Sequence, residues 1–168
     1  GVRVLGTDPG NIDRAENRQT FSALLDDLGI DQPAWRHVTE ASTAEHIVEE
    51  LGGFPVLVRP SYVLSGAAMS IAHEPNELRG ILARAKRVSP DHPVVVSKFE
   101  TRAREIEIDA VADHGELVLW AISEHIEDAG VHSGDATLVL PPQSVYISTI
   151  RRVRLIAAEL AAALAITG

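Results

Sequence analysis

Val56-Leu57-Val58-Arg59-Pro60-Ser61-Tyr62-Val63-Leu64-Ser65-Gly66-Ala67-Ala68-Met69 constrains the fold more than any other stretch, because an unbroken apolar run ends in an arginine, a proline and a loop of small residues. Continuous rather than alternating hydrophobicity reads as a strand covered on both faces, which demands structure on either side of the sheet. Arg59 then stands at the end of a covered strand, where an unpaired guanidinium is costly and needs an anion. Two partners fit: a protein carboxylate, or the phosphates of a nucleoside triphosphate held jointly by the guanidinium and the backbone amides of the loop.

A second stretch, Glu124-His125-Ile126-Glu127-Asp128-Ala129-Gly130-Val131-His132-Ser133-Gly134-Asp135-Ala136-Thr137, packs acids, imidazoles, hydroxyls and glycines into what reads as one loop after an apolar strand. Building a fold does not require that density. Gly130 and Gly134 let the backbone approach a ligand closely, and His132 can donate a hydrogen bond to a phosphate or an anionic intermediate, or simply be satisfied in a tight turn. Glu124, His125, Asp128, His132 and Asp135 also suit zinc or manganese chemically, although no His-Glu-x-x-His spacing is present. Ser133 beside His132 suggests a hydrolytic pair, but adjacent residues usually point apart and no nucleophile elbow surrounds Ser133.

Other residues are ambiguous by themselves. Arg18, in Arg14-Ala15-Glu16-Asn17-Arg18, either reaches a phosphate or forms a surface ion pair. Glu105 opens an alternating strand and can accept from two ribose hydroxyls, or stand solvated. Val95-Val96-Ser97-Lys98-Phe99 can present backbone groups to an adenine edge.

The periodicity predicts a short strand at 2–7 turning at Asp8-Pro9-Gly10, a helix over 12–28 closed by Gly29, and an edge strand at 35–38. Ser42-Thr43-Ala44-Glu45 has capping-box spacing, so a helix runs to about Leu51 and stops at Gly52-Gly53. The Arg59 strand follows, then a strand at 68–72, a helix over 75–88 and a strand at 94–99. Residues 105–111 alternate strictly, turn at His114-Gly115 and return over 117–122 as a half-buried hairpin. A final alanine-rich helix spans about 144–165, with Ile147, Ile150, Val153, Ile156, Leu160 and Leu164 on one face. No repeat or linker interrupts the order.

A chain of 168 residues forms one domain or two small lobes. Its net charge of −9 disfavours nucleic acid as the main partner but permits a small polyphosphate that brings its own divalent cations. No apolar run approaches the roughly 20 residues that span a bilayer, so no membrane partner is expected. The sequence has no cysteine, which excludes disulfides, thiolate zinc sites and a cysteine nucleophile and fits a reducing cytosol. No signal-peptide pattern opens it, and Gly1 in place of Met reads as the start of a piece of something longer.

Gly6-Thr7-Asp8-Pro9, Ala15-Glu16-Asn17-Arg18 and the 58–69 and 124–137 stretches together closely resemble the large chain of carbamoyl-phosphate synthetase, over nearly all 168 residues. Tyr62-Val63-Leu64-Ser65-Gly66 and Glu124-His125-Ile126-Glu127 point to the ATP-grasp unit of the second synthetase half, which phosphorylates carbamate. The resemblance implies an α/β (α+β) ATP-grasp fold with nucleotide between two lobes: an N-terminal segment 1–52, a small lobe 53–126, and the start of the large lobe at 127–168. It implies that Arg18 and Arg59 bind ATP phosphates, that Ser97, Lys98, Phe99 and Glu100 line the adenine, and that Glu105 holds the ribose. Gly130, Val131, His132 and Ser133 would form the opposite wall, with Arg59 and His132 nearest the chemistry. Potassium would sit at Glu105, His125, Asp128 and Ala136, the last through its carbonyl only.

The implied reaction is in-line attack of a carbamate oxygen on the terminal phosphorus of ATP, for the pyrimidine, arginine or urea pathway, with magnesium as the dication. The implied partners are the rest of the large chain and a glutaminase subunit or domain, in the cytoplasm or, for an ammonia-dependent form, in mitochondria. Two departures stand out. Asp8-Pro9-Gly10 replaces the family's Ser-Pro-acid turn. The family also continues past the position of Gly168 into strands whose glutamate and asparagine hold magnesium, so the fold is expected to be truncated before them. The chain alone is then expected to bind nucleotide weakly without turnover, and to pair with a second copy through the exposed sheet edge. The alternatives are a non-catalytic ATP-binding or interaction module, and another ATP-grasp ligase such as a biotin carboxylase, which leaves the 124–137 stretch unaccounted for.

Overall fold

The computed structural model describes residues 4–38, 43–61, 69–88, 94–129 and 134–168. They form two compact units, Arg14–Glu100 and a second built from Gly1–Asp13 with Thr101–Gly168.

In the Arg14–Glu100 unit, strands β1 (Trp35–Val38), β2 (Val56–Pro60), β3 (Ser70–Ala72) and β4 (Val94–Lys98) form one antiparallel sheet in the order β1-β4-β2-β3. The central pair places Val56, Val58 and Pro60 opposite Lys98, Val96 and Val94. Against that face lie helices α3 (Ala44–Glu50) and α4 (Pro75–Val88). α4 starts with Pro75, which has no amide to waste in the first turn, and ends with Lys86 and Arg87, which complement the helix dipole. Its Leu78, Ile81, Leu82 and Ala85 recur at helical spacing, are buried, and close the core over β2 and β4. The other sheet face carries Leu57 and Arg59 opposite Ser97 and Val95. Val95 and Ser97 are buried as well, so β4 is covered on both sides, as its continuous hydrophobicity requires.

The predicted helix over 12–28 is two helices, α1 (Pro9–Glu16) and α2 (Arg18–Asp27). Asn17 divides them: its carboxamide oxygen accepts from the amides of Gln19 and Thr20, which starts a new helix with Arg18 as its first residue. The described part of the predicted 2–7 strand, Val4 onwards, is not a strand, and Leu5 is exposed. Ser42, the first residue of the expected capping box, lies outside the described residues. α3 starts at Ala44 with Thr43 at its N-cap, and the Thr43 side chain makes no cap hydrogen bond.

In the other unit, β5 (Arg104–Asp113) and β6 (Glu116–Asp128) make a long hairpin, with short β7 (Leu138–Val139) beside β6. The turn falls at His114-Gly115 as predicted, with φ of 47° and 86°, the pair of left-handed residues that a two-residue hairpin loop needs. Helix α5 (Ile147–Ala163) packs on the hairpin, and Ala112 exchanges both backbone hydrogen bonds with Gly168.

The expected boundary at 52/53 lies in the loop between α3 and β2, and that at 126/127 lies within β6. Lys98 Nζ donates to the carbonyls of Gly52, Gly53 and Phe54 at 3.4, 2.8 and 3.3 Å, tying that loop to β4. The two compact units part between Asp13 and Arg14 and again between Glu100 and Thr101, just after β4.

Candidate functional site

Arg18 and Arg59 come together in the Arg14–Glu100 unit. The Asn17 cap fixes Arg18 at the N-terminus of α2, and the β2–β4 register fixes Arg59 on the sheet face opposite the α3/α4 core. Both side chains are half-buried, and among the described residues the Nε of each is buried without a hydrogen-bond partner. Burial, and secondarily the neighbouring Arg18 charge, push the Arg59 pKa below the ordinary guanidinium value. Two cations side by side with unsatisfied buried donors are unfavourable unless an anion joins them. Phosphate suits the planar donor fork of each.

At the end of β4 the expected adenine-lining run is partly committed to the fold. The Lys98 amide donates to the Ala34 carbonyl at 2.8 Å and the Phe99 amide to the Pro55 carbonyl at 3.2 Å. The Lys98 ammonium is held by the 52–54 carbonyls, as described above. Ser97 is buried within the sheet, whereas Glu100 is exposed.

The hairpin gathers a different group. The reading of 124–137 as one loop is corrected here: Glu124 to Asp128 are the last residues of β6, and consecutive side chains therefore alternate between faces. His125 points to the face of Glu105 and Glu107, with Nδ1 at 3.7 Å from one carboxylate and Nε2 at 3.5 Å from the other. Its ring is wholly buried, and neither nitrogen makes a hydrogen bond among the described residues. Glu107 was not anticipated as a site residue, although its i+2 spacing from Glu105 on an alternating strand places both on one face.

Glu124 faces the other way and does structural work. Its carboxylate accepts from the Gln143 amide at 2.8 Å, the Ser144 amide at 3.1 Å and the Ser144 hydroxyl at 2.9 Å, while Arg104 donates to the same serine hydroxyl at 2.9 Å. The Gln143 amide first, then the Ser144 hydroxyl and amide and the Arg104 charge, hold its pKa below the ordinary carboxylate value. Glu127 accepts from the amide and hydroxyl of Thr137, each at 2.9 Å, and the amide bond leads in lowering its pKa too. These two acids staple the segment between β6 and α5.

Of the potassium set, Glu105 and His125 approach each other, Asp128 lies at the strand end opposite Arg104, and Ala136 has no donor beyond its carbonyl. Carboxylate and carbonyl oxygens suit potassium in kind. Yet no group of three His, Asp or Glu side chains among the described residues converges on a metal position. The same holds for the zinc or manganese set Glu124, His125, Asp128, His132 and Asp135, of which His132 lies outside the described residues. His132, Ser133, Gly130 and Val131, together with the 62–68 loop, lie outside the described residues.

A family model described as "Carbamoyl-phosphate synthase L chain, ATP binding domain" matches residues 17–168. The chain is 57% identical over 167 residues to the mitochondrial carbamoyl phosphate synthase arginine-specific large chain of Neurospora crassa, an alignment covering 99% of this chain and 14% of that protein. It is likewise 57% identical over 167 residues to the multifunctional protein pyr1-3 of Dictyostelium discoideum, covering 99% of this chain and 8% of the relative. The chain thus spans a small fraction of the curated relatives it matches. Among solved structures, D-alanyl-alanine synthetase A from Vibrio cholerae superposes with a TM-score of 0.83 at 17% identity, over 99% of this chain and 53% of that one. At that identity the likeness speaks to fold alone, and the fold is the ATP-grasp expected from the sequence.

Proposed function

The chain belongs to the carbamoyl-phosphate synthase large-chain ATP-binding family, and from that premise we propose that it supplies ATP-binding elements to a ligase that phosphorylates carbamate to carbamoyl phosphate. The observation that carries this reading is the Arg18–Arg59 pair: two half-buried guanidiniums whose buried Nε donors lack partners among the described residues. ATP phosphates satisfy both at once, and the pair then neutralises charge on the phosphoryl group as a carbamate oxygen attacks in line.

Glu105 would accept from the ribose hydroxyls, kept in place by the buried His125 beside it. Since the Lys98 and Phe99 amides are already paired, recognition of adenine by 97–100 would fall to carbonyl oxygens or to Glu100. Gly130, Val131, His132 and Ser133 are proposed as further nucleotide-binding residues, with His132 donating to a phosphate. Magnesium bound to the nucleotide would offset phosphate charge. Among the described residues no carboxylate cluster is set to hold it. A glutaminase is the partner proposed to supply nitrogen. The pathway is proposed to be pyrimidine or arginine synthesis, in keeping with relatives named as arginine-specific and multifunctional chains. The relative from Neurospora crassa is named as mitochondrial, and no helix among the described residues is long and apolar enough to cross a membrane.

Isothermal titration with a non-hydrolysable ATP analogue and magnesium tests the reading. The wild type is expected to bind, and Arg59→Ala to weaken binding by about 30- to 1,000-fold, the loss of one charge-assisted contact worth on the order of 2–4 kcal/mol. Equal affinity of the two proteins would remove Arg59 from the site.

A further inference from the structure

The hairpin face that carries Glu105 also carries a carboxylate that the nucleotide reading leaves without a role. Alternation puts Glu105 and Glu107 of β5 on one face, together with Ser123 and His125 of β6, and Ser123 pairs with Glu107. The ladder then jumps from Ile106–Glu124 to Arg104–Asp128, so Glu105 alone stands against His125, Ile126 and Glu127. Such a bulge re-aims side chains, and bulges are over-represented beside active sites. Here the His125 ring comes to lie between the two carboxylates, Nδ1 toward Glu105 at 3.7 Å and Nε2 toward Glu107 at 3.5 Å.

The ring is wholly buried, whereas the Glu105 and Glu107 side chains are 42% and 33% exposed. A packed ring cannot drift, so it passes the position of one neighbour to the other. Neither nitrogen makes a hydrogen bond among the described residues, and the cost of that burial falls when either carboxylate closes on it. Glu107 has this ring as its interaction among the described residues. A ring that leaned on Glu105 alone would lose its support whenever Glu105 turned toward a ligand. With Glu107 behind it, the ring stays in place and presents a fixed surface to Glu105.

We infer that Glu107 is a positioning residue that acts through the His125 ring: it fixes the Glu105 carboxylate in the orientation that accepts both ribose hydroxyls, and so makes the site selective for ribonucleoside over deoxyribonucleoside triphosphates. The inference rests on the proposed place of Glu105 at the ribose. A carboxylate already held in one rotamer loses little side-chain freedom when the two hydroxyls bind. A nucleotide without those hydroxyls leaves the same carboxylate unpaired, which is how a site built for a hydroxyl rejects the analogue that lacks it.

The test compares kcat/KM of the full-length protein for ATP and for 2′,3′-dideoxy-ATP, which lacks both hydroxyls, with magnesium present and carbamate as acceptor. The wild type is expected to favour ATP by about 10- to 100-fold, the usual worth of hydrogen bonds to a charged group. Glu107→Gln is isosteric and changes a side chain one-third exposed, so the fold and the circular dichroism stay those of the wild type. In it the preference is expected to fall to about 3-fold or less, through loss on ATP with the dideoxy nucleotide unchanged. Equal losses on both nucleotides, which keep the ratio, would mean a structural role for Glu107 and overturn the inference. Glu105→Gln separates the two failures. A ratio that collapses in Glu105→Gln but persists in Glu107→Gln leaves the ribose reading standing and overturns the inference alone. A ratio near one in the wild type, or one that survives Glu105→Gln, overturns the ribose reading and the inference with it.

Discussion

Replacing Arg59 by methionine separates the two partners that its sequence context allows. Methionine keeps most of the aliphatic stem and removes the charge. If Arg59 waits for an anion, the empty wild type carries a like-charge repulsion with Arg18 that the variant lacks. Two unit charges roughly 5–8 Å apart repel by about 2–3 kcal/mol at an effective dielectric of 20. Solvent around the half-buried Arg18 reduces this to on the order of 1–2 kcal/mol. Because a domain of this size gains about 2–4 °C per kcal/mol, Arg59→Met should melt roughly 2–8 °C higher than wild type in phosphate-free buffer.

Adding a phosphate polyanion should reverse that order. Tripolyphosphate at 100 times its dissociation constant stabilises the wild type by about 2.7 kcal/mol, while the variant, lacking one of the two guanidiniums, gains little. Thermal unfolding followed by circular dichroism, with and without tripolyphosphate, measures both effects. A variant that melts several degrees below wild type without phosphate, and responds equally to tripolyphosphate, would mean that Arg59 is paired with a protein carboxylate. Selection commonly leaves binding sites strained when empty, so a stabilising loss of function is the signature sought.

Two further outcomes follow from the hairpin unit. Glu124 and Glu127 have lowered pKa values in the folded state, so the unfolded chain binds more protons in acid. Their stabilising effect is present in full above the ordinary value near 4.5 and is lost as the pH falls through the lowered folded values. Acid titration of the midpoint in Glu124→Gln should show a flatter decline below that pH than wild type, and an identical slope would deny the Gln143–Ser144 staple its role. At the hairpin turn, a Cβ on Gly115 would lie 3.0 Å from Ala162 Cα and 3.1 Å from the Ala161 carbonyl oxygen, at φ 86°. Gly115→Ala should therefore cost on the order of 1–3 kcal/mol, read from urea unfolding, while Glu116→Ala next to it should be near neutral.

Much of the architecture was legible because local signals agreed. Continuous apolar runs gave the covered strands β2 and β4, the 75–88 periodicity gave α4 with its bounds, and His114-Gly115 gave the hairpin turn. The signal failed where one residue outweighed a pattern: the stripe from Ile12 to Leu28 runs on through Asn17, yet a short side chain that can cap two amides divides the helix there. It failed again at 124–128, where a density of polar residues read as loop. Glu124 and Glu127 are polar because they anchor the chain beyond β6, a role that depends on partners 10 to 20 residues away and so leaves no local mark.

The same strand shows how the misreading hid a relation that geometry makes plain. In a loop, Glu124, His125 and Asp128 are interchangeable candidates for one metal. On a strand, alternation assigns Glu124 to the face that binds Gln143 and Ser144, and sends His125 to the face of Glu105 and Glu107. A single metal reached by all three would have to be approached from both faces of the strand. What remains on the second face is a wholly buried imidazole set between two carboxylates, one of which is the proposed ribose ligand. Alternation along β5 and β6 therefore does more than fold the hairpin: it separates Glu124, which holds Gln143 and Ser144, from the Glu105 and Glu107 carboxylates beside His125.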